Sequence, residues 1–225
     1  MICIIAYQGI VTGEFRMWNI EYKGKIKGDI EQISSGKPLP EGSVMFKEPD
    51  SPNKAFALGA LFAFPILVLM MGFATYRMVL IYDKPYGLKL GDFIVPHVIC
   101  LALIVISQYV HEYIHAFLLP KNVKKEVYVM LENQMLFVYC EECVPKKRFM
   151  ISLLGPAVIL GLIPYIVWYI IAPNLSFPST LAMLLYSFAM AACAVGDYLN
   201  AYNCARQVPR NGKVFNRGFH SYWIP

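Results

Sequence analysis

The run Phe93-Ile94-Val95-Pro96-His97-Val98-Ile99-Cys100-Leu101-Ala102-Leu103-Ile104-Val105-Ile106-Ser107-Gln108-Tyr109-Val110-His111-Glu112-Tyr113-Ile114-His115-Ala116-Phe117-Leu118-Leu119 decides the fold. It is long and apolar enough to cross about 30 Å of hydrocarbon as one helix. Its second half carries two histidines four residues apart with a glutamate beside the first. Residues i and i+4 share a helix face, so both imidazoles can reach one Zn²⁺ while Glu112 acts as general base toward a water. An intramembrane cluster of two imidazoles and a carboxylate is costly unless it faces the bundle interior, a wet cavity or a metal.

Hydrophobic residues make up 57 % of the 225-residue chain and charged residues only 16 %, with a mean hydropathy of +0.49. Soluble globular domains are less apolar than this, and the apolar residues come in blocks. Four blocks reach spanning length: Ala55 to Tyr82, Phe93 to Leu119, Phe149 to Ala172 and Ser179 to Ala205. The expected fold class is therefore mainly α and integral to a membrane, with about four transmembrane helices and a small cytoplasmic β-hairpin between the second and third. Three regions follow: a polar N-terminal extension (1–54), a four-helix domain (55–206, core 93–206) and a tail (207–225). The apolar start at Met1 to Ala6 has no basic region before it and no cleavage site after it, so no signal peptide is expected. The extension has room for a short strand or two.

Topology follows from the basic residues. Residues 1–54, the connector before the third span and the C-terminal stretch from Arg206 carry seven, six and four lysines and arginines; the connectors after the first and third spans carry only Lys84 and Lys89. By the positive-inside rule both termini face the cytoplasm of a multi-pass cell-membrane protein. The net charge of +5 then reflects topology and contact with anionic lipid, and nucleic acid is not an expected partner. Cys3, Cys140 and Cys143 would face a reducing compartment, and Cys100, Cys193 and Cys204 lie inside spans, so no disulfide framework is expected.

A catalytic zinc needs a third protein ligand and an open position for water. The residues after His115 lack the glycine and third histidine of metzincins. The remaining candidates are Asp197, His220, Cys140, Cys143, Glu126, Glu132, Glu141 and Glu142, and depth separates them. His111 and Asp197 each fall about 18 residues from the outer start of spans running in the same direction, so they are level. Glu112 and Asp197 are also the only acids within the four blocks, and a shared metal would satisfy both. Asn200 and Asn203 follow on the same span; their amides suit ligand orientation, substrate binding or interhelical hydrogen bonding. His220 lies in a tail that reads as mobile.

Two further stretches bear on the site. Val127 to Leu131 and Met135 to Tyr139 read as strands around the polar Glu132-Asn133-Gln134 turn, placing a hairpin just below the metal, as a cap or a docking edge for an extended peptide. Cys140-Glu141-Glu142-Cys143 lacks a second cysteine pair and reads as a turn. Leu154-Gly155-Pro156 opens the third span, where proline needs no amide partner and glycine permits close helix approach.

The order of a His-Glu-x-x-His span, a hairpin, a span with Gly155-Pro156 and a span with Gly196-Asp197 resembles the zincin-peptidase family of small bacterial membrane proteins. More distantly it is similar to the three-helix core of site-2 proteases. The resemblance covers about residues 93–206. It implies His111, His115 and Asp197 as zinc ligands and Glu112 as catalytic base. The chain lacks the asparagine that site-2 proteases carry after Gly-Pro, and it has Gly196-Asp197-Tyr198 in place of their leucine-aspartate-glycine. The expected function is a zinc-dependent membrane peptidase acting near the cytoplasmic face on a protein or peptide, membrane proteins included. The alternative is a non-catalytic membrane zinc-binding protein for sensing, transport or partner binding.

Overall fold

A computed structural model of the chain describes residues 18–26, 38–49, 51–82, 89–130, 135–218 and 220–225. The apolar start with Cys3, the loop residue Lys84 and the Glu132-Asn133-Gln134 turn lie outside the described residues. In chain order the elements are β1 (Ile20–Ile26), β2 (Val44–Met45), α1 (Pro52–Ile81), α2 (Leu90–Leu118), β3 (Lys125–Met130), β4 (Met135–Tyr139), β5 (Val144–Pro145), α3 (Lys146–Pro156), a π-helical segment (Ala157–Leu162), α4 (Ile163–Ile171), a 3-10 turn (Ala172–Asn174), α5 (Phe177–Cys193), α6 (Val195–Gln207), β6 (Lys213–Arg217) and β7 (His220–Ile224). The fold is mainly helical with small sheets. Among the described residues, three helical stretches of 29 residues are long and apolar enough to cross a membrane, at Asn53–Ile81, Leu90–Leu118 and Lys146–Asn174. The α5–α6 pair makes a fourth if its two halves count as one span.

The chain divides into two compact units, one of Met1–Glu48, Glu112–Leu153 and Ala201–Pro225, the other of Pro49–His111 and Leu154–Asn200. In the second unit α1 starts at Ser51, whose hydroxyl accepts from Lys54 N, with proline in the first turn where no intrahelical donor is needed. Phe56, Leu61, Phe64, Leu69, Phe73 and Val79 of α1 are exposed, as are Ile94, Val98, Leu101, Val105 and Ile106 of α2. Such a continuous apolar surface calls for a non-aqueous neighbour. The interior is built from Met70, Ala74, Tyr165, Trp168, Ala172 and Ala191. Tyr165 Oη donates to the Met70 carbonyl (2.7 Å) and Arg77 Nε to the Tyr169 carbonyl (3.1 Å). Gly59 and Gly161 let neighbouring backbones approach: a Cβ on Gly59 would collide with the Val195 carbonyl, and one on Gly161 would stand 3.0 Å from Ala191 N.

The fourth span differs from the continuous helix the sequence suggests. It breaks at Ala194, and α5 and α6 meet at 44°. Tyr198 Oη donates to the Ala191 carbonyl (3.1 Å), compensating an acceptor released at the bend. Asp197 therefore stands in the first turn of α6.

The first unit holds two sheets. The expected hairpin is present as antiparallel β3 and β4, with Val127 opposite Val138. β1 adds in parallel to β3 to give the order β1-β3-β4, and a second sheet has the order β2-β7-β6-β5. The tail that reads as mobile thus forms a hairpin, β6–β7, with Arg217 opposite His220 and Gly218 at φ 58° in its tight turn. Two lysines cap helix C-termini. Lys125, fully buried, donates to the Pro120 carbonyl beyond α2 (2.8 Å), and Lys146 donates to the Ala205 (3.0 Å) and Val208 (2.6 Å) carbonyls at the end of α6.

Candidate metal centre

Helix α2 presents His111, Glu112 and His115 so that one ligand atom of each lies within 4.8 Å of the others. Both histidines are buried and Glu112 is half-buried. The helix reaches this depth intact because its first two-thirds is apolar, and its polar side chains point along one line toward α5 and α6. Cys100 Sγ donates to the Ala182 carbonyl (3.1 Å), Ser107 Oγ bonds Tyr186 Oη (2.8 Å), and Gln108 Nε2 bonds Cys193 Sγ (3.3 Å). The last step is His111 Nε2 to Asp197 Oδ2 at 3.0 Å. Partners advance together along both chains, so α2 runs parallel to the α5–α6 span, and His111 and Asp197 are level.

His115 is fixed differently. Its Nδ1 bonds the Ser152 carbonyl (2.8 Å), and Ser152 Oγ donates to the His115 carbonyl (3.0 Å). A carbonyl can only accept, so Nδ1 carries a proton, and in the neutral ring the lone pair is then on Nε2. This is the arrangement by which outer hydrogen bonds orient a metal-binding imidazole. Ser152 escaped the sequence reading. Its signal was a polar residue within an apolar block, four positions before a proline.

Two imidazoles and the Glu112 carboxylate are donors that zinc accepts, and their ligand atoms lie within 4.8 Å of one another; Asp197 reaches His111 at 3.0 Å. The other third-ligand candidates are engaged elsewhere. Glu126 is within 2.7 Å of Lys124 Nζ and accepts from Tyr128 Oη (2.6 Å). Burial works to raise its carboxyl, but these two partners outweigh it and hold it below the ordinary range. Glu142 accepts from Lys124 N (2.9 Å), Glu141 from Tyr139 Oη (3.2 Å), and His220 Nδ1 is 3.4 Å from Glu48. Glu132 lies outside the described residues. Cys140 is buried, which pushes its thiol up to about 11, and burial raises Cys143 as well, so neither is a ready thiolate. Asn200 is half-buried on α6; Asn203 is buried, and its Nδ2 meets no acceptor among the described residues.

Comparison with known proteins gives one family. Residues 103–212, from the middle of α2 to the residue before β6, match the family described as Putative zincin peptidase. No curated protein and no solved structure matches the chain.

Proposed function

We propose, from the match of residues 103–212 to the family described as Putative zincin peptidase, that the chain is a zinc-dependent membrane peptidase in which His111, His115 and Asp197 hold the ion and Glu112 is the general base. The observation that carries this is the gathering of His111, Glu112 and His115 within 4.8 Å on α2, with the Asp197 carboxylate at 3.0 Å from His111. Zinc bound there supplies a water with its pKa lowered toward about 7 and an electrophile for the substrate carbonyl. Glu112 takes a proton from the attacking water and delivers it to the amide nitrogen as the C–N bond breaks. Ser152 keeps the His115 ring in one tautomer throughout. Asn203, with a buried amide hydrogen unspent, and Asn200 are the groups we assign to holding the substrate backbone or a ligand carboxylate.

The long helices with their exposed apolar flanks support a multi-pass location in the cell membrane. The lysine and arginine distribution supports cytoplasmic termini. The substrate class is then a peptide or protein, membrane proteins included, that reaches the site near the cytoplasmic face. Metal content and cleavage of a peptide library by the purified protein and by Glu112→Gln test this reading. We expect zinc in both and hydrolysis only in the parent; cleavage retained in Glu112→Gln removes the assignment. Zinc without hydrolysis of any peptide favours a non-catalytic zinc-binding protein instead.

A further inference from the structure

Pro156 ends α3 as its eleventh residue, counting from Lys146, so it stands well inside a helical rod. The expectation that Gly155-Pro156 opens the span is thereby corrected: the basic Lys146-Lys147-Arg148 already forms the first turn. A proline at this place has a cost, because the amide of residue 156 is the donor that an α-helix supplies to the carbonyl of residue 152, and proline has none. That carbonyl is the one that accepts from His115 Nδ1 at 2.8 Å. Ser152 is 4 % and His115 9 % exposed, so water is a poor substitute for either partner. Immediately after Pro156 the chain widens into the π-helical segment, in which Ile163 N bonds the Val158 carbonyl.

We infer that Pro156 is a positioning residue of the metal centre: by withholding an amide it leaves the Ser152 carbonyl to His115, which fixes the proton on Nδ1 and the lone pair on Nε2. The inference rests on the zinc reading for its purpose, while the hydrogen bond itself stands without metal. Glycine or alanine at 156 would return an N–H that competes for the same oxygen. Ser152 Oγ adds a second tie, from hydroxyl to His115 carbonyl, which holds the two backbones in register.

The test uses the full chain in detergent. In metal-free protein labelled with ¹⁵N-histidine, His115 (assigned by its loss in His115→Ala) is expected to show a protonated Nδ1 and an unprotonated Nε2. Pro156→Ala is expected to mix the two tautomers and to weaken zinc binding, read by competition with a chromophoric chelator, about tenfold or more. Pro164→Ala, the same change at the second residue of α4, should alter neither. Ser152→Ala, which keeps the carbonyl, should retain the Nδ1–H signature. The inference is overturned if parental His115 carries its proton on Nε2, a result that needs no variant to fold, or if Pro156→Ala leaves both tautomer and affinity unchanged. Absence of zinc binding in the parent would refute the peptidase reading, and the tautomer measurement would still decide this one.

Discussion

His111 Nε2 stands 3.0 Å from Asp197 Oδ2 although 86 positions separate the two residues. They are the last rung of a ladder that begins at Cys100 and Ala182 and keeps the parallel α2 and α5–α6 span in step. If the pair is two ligands of one ion, Asp197→Ala should lower zinc affinity by more than the 10–100-fold typical of outer hydrogen-bond partners. Asp197→Asn should lose nearly as much, because an amide oxygen carries no charge. Glu126→Ala, which removes a carboxylate tied to Lys124, should leave zinc content unchanged. Equilibrium dialysis followed by elemental analysis reads all three.

Gly59 of α1 faces Val195, two residues before Asp197, and a Cβ there would meet the Val195 carbonyl and Cγ1. Backbone cannot swing aside as a flexible side chain can. Gly59→Ala should therefore destabilise the protein by about 1–3 kcal/mol and weaken zinc binding through displacement of the start of α6. Thermal unfolding in detergent and the chelator assay measure the two effects. Gly72→Ala, where nothing lies within 4 Å, is the control and should be neutral or slightly stabilising.

Lys125 is fully buried, and burial pushes its ammonium below the ordinary lysine range. Its Nζ nonetheless donates to the Pro120 carbonyl beyond the end of α2. Lys125→Ala should cost about 2–4 kcal/mol, since it removes a packed stem and leaves a carbonyl unpaired. Lys125→Met keeps the stem and removes the charge, and should cost less than half as much. Equal losses would show that the charged hydrogen bond dominates.

Glu48 gives a pH dependence whose sign is fixed. Burial raises its carboxyl above the ordinary 4.5, with His220 and Ser221 opposing. In the window from pH 4.5 up to its raised value, the folded chain keeps a proton that the unfolded chain has released, so stability falls as pH rises. Above that window the effect is constant. Glu48→Gln should flatten this part of the profile, seen as a smaller fall in midpoint temperature from pH 4.5 upward.

The helical rods, the β3–β4 hairpin and the clustering of His111, Glu112 and His115 were legible because each has a local signal: apolar length, alternation around a turn, and i, i+4 spacing. The parallel placement of His111 and Asp197 was legible from depth alone, because a membrane-length helix converts residue number into height. The break at Ala194 was not. Alanine and glycine are common both in straight packed spans and at bends, and composition does not separate the two. The parallel pairing of β1 with β3 joins residues about a hundred positions apart and has no local mark. The tail hairpin did leave a mark, Gly218 between two short alternating runs, but its arginine and glycine content outweighed it. Ser152 was hidden for a different reason: its contribution to the site is a backbone carbonyl, which any residue possesses.

The contact of Gly59 with Val195, and of Met70 with Tyr165, bears on how the molecule can be divided. Residues 103–212 match the family, and α1 lies wholly outside them. Yet α1 supplies Met70 and Ala74 to the interior around Trp168, and its glycine is the surface on which the α5–α6 joint rests. Cutting the gene at the family boundary would strip that joint of its bearing and open Trp168, which is completely enclosed, to its surroundings. Chimaeras that exchange the His-Glu-x-x-His part between relatives should therefore carry the preceding helix with it, as a matched pair.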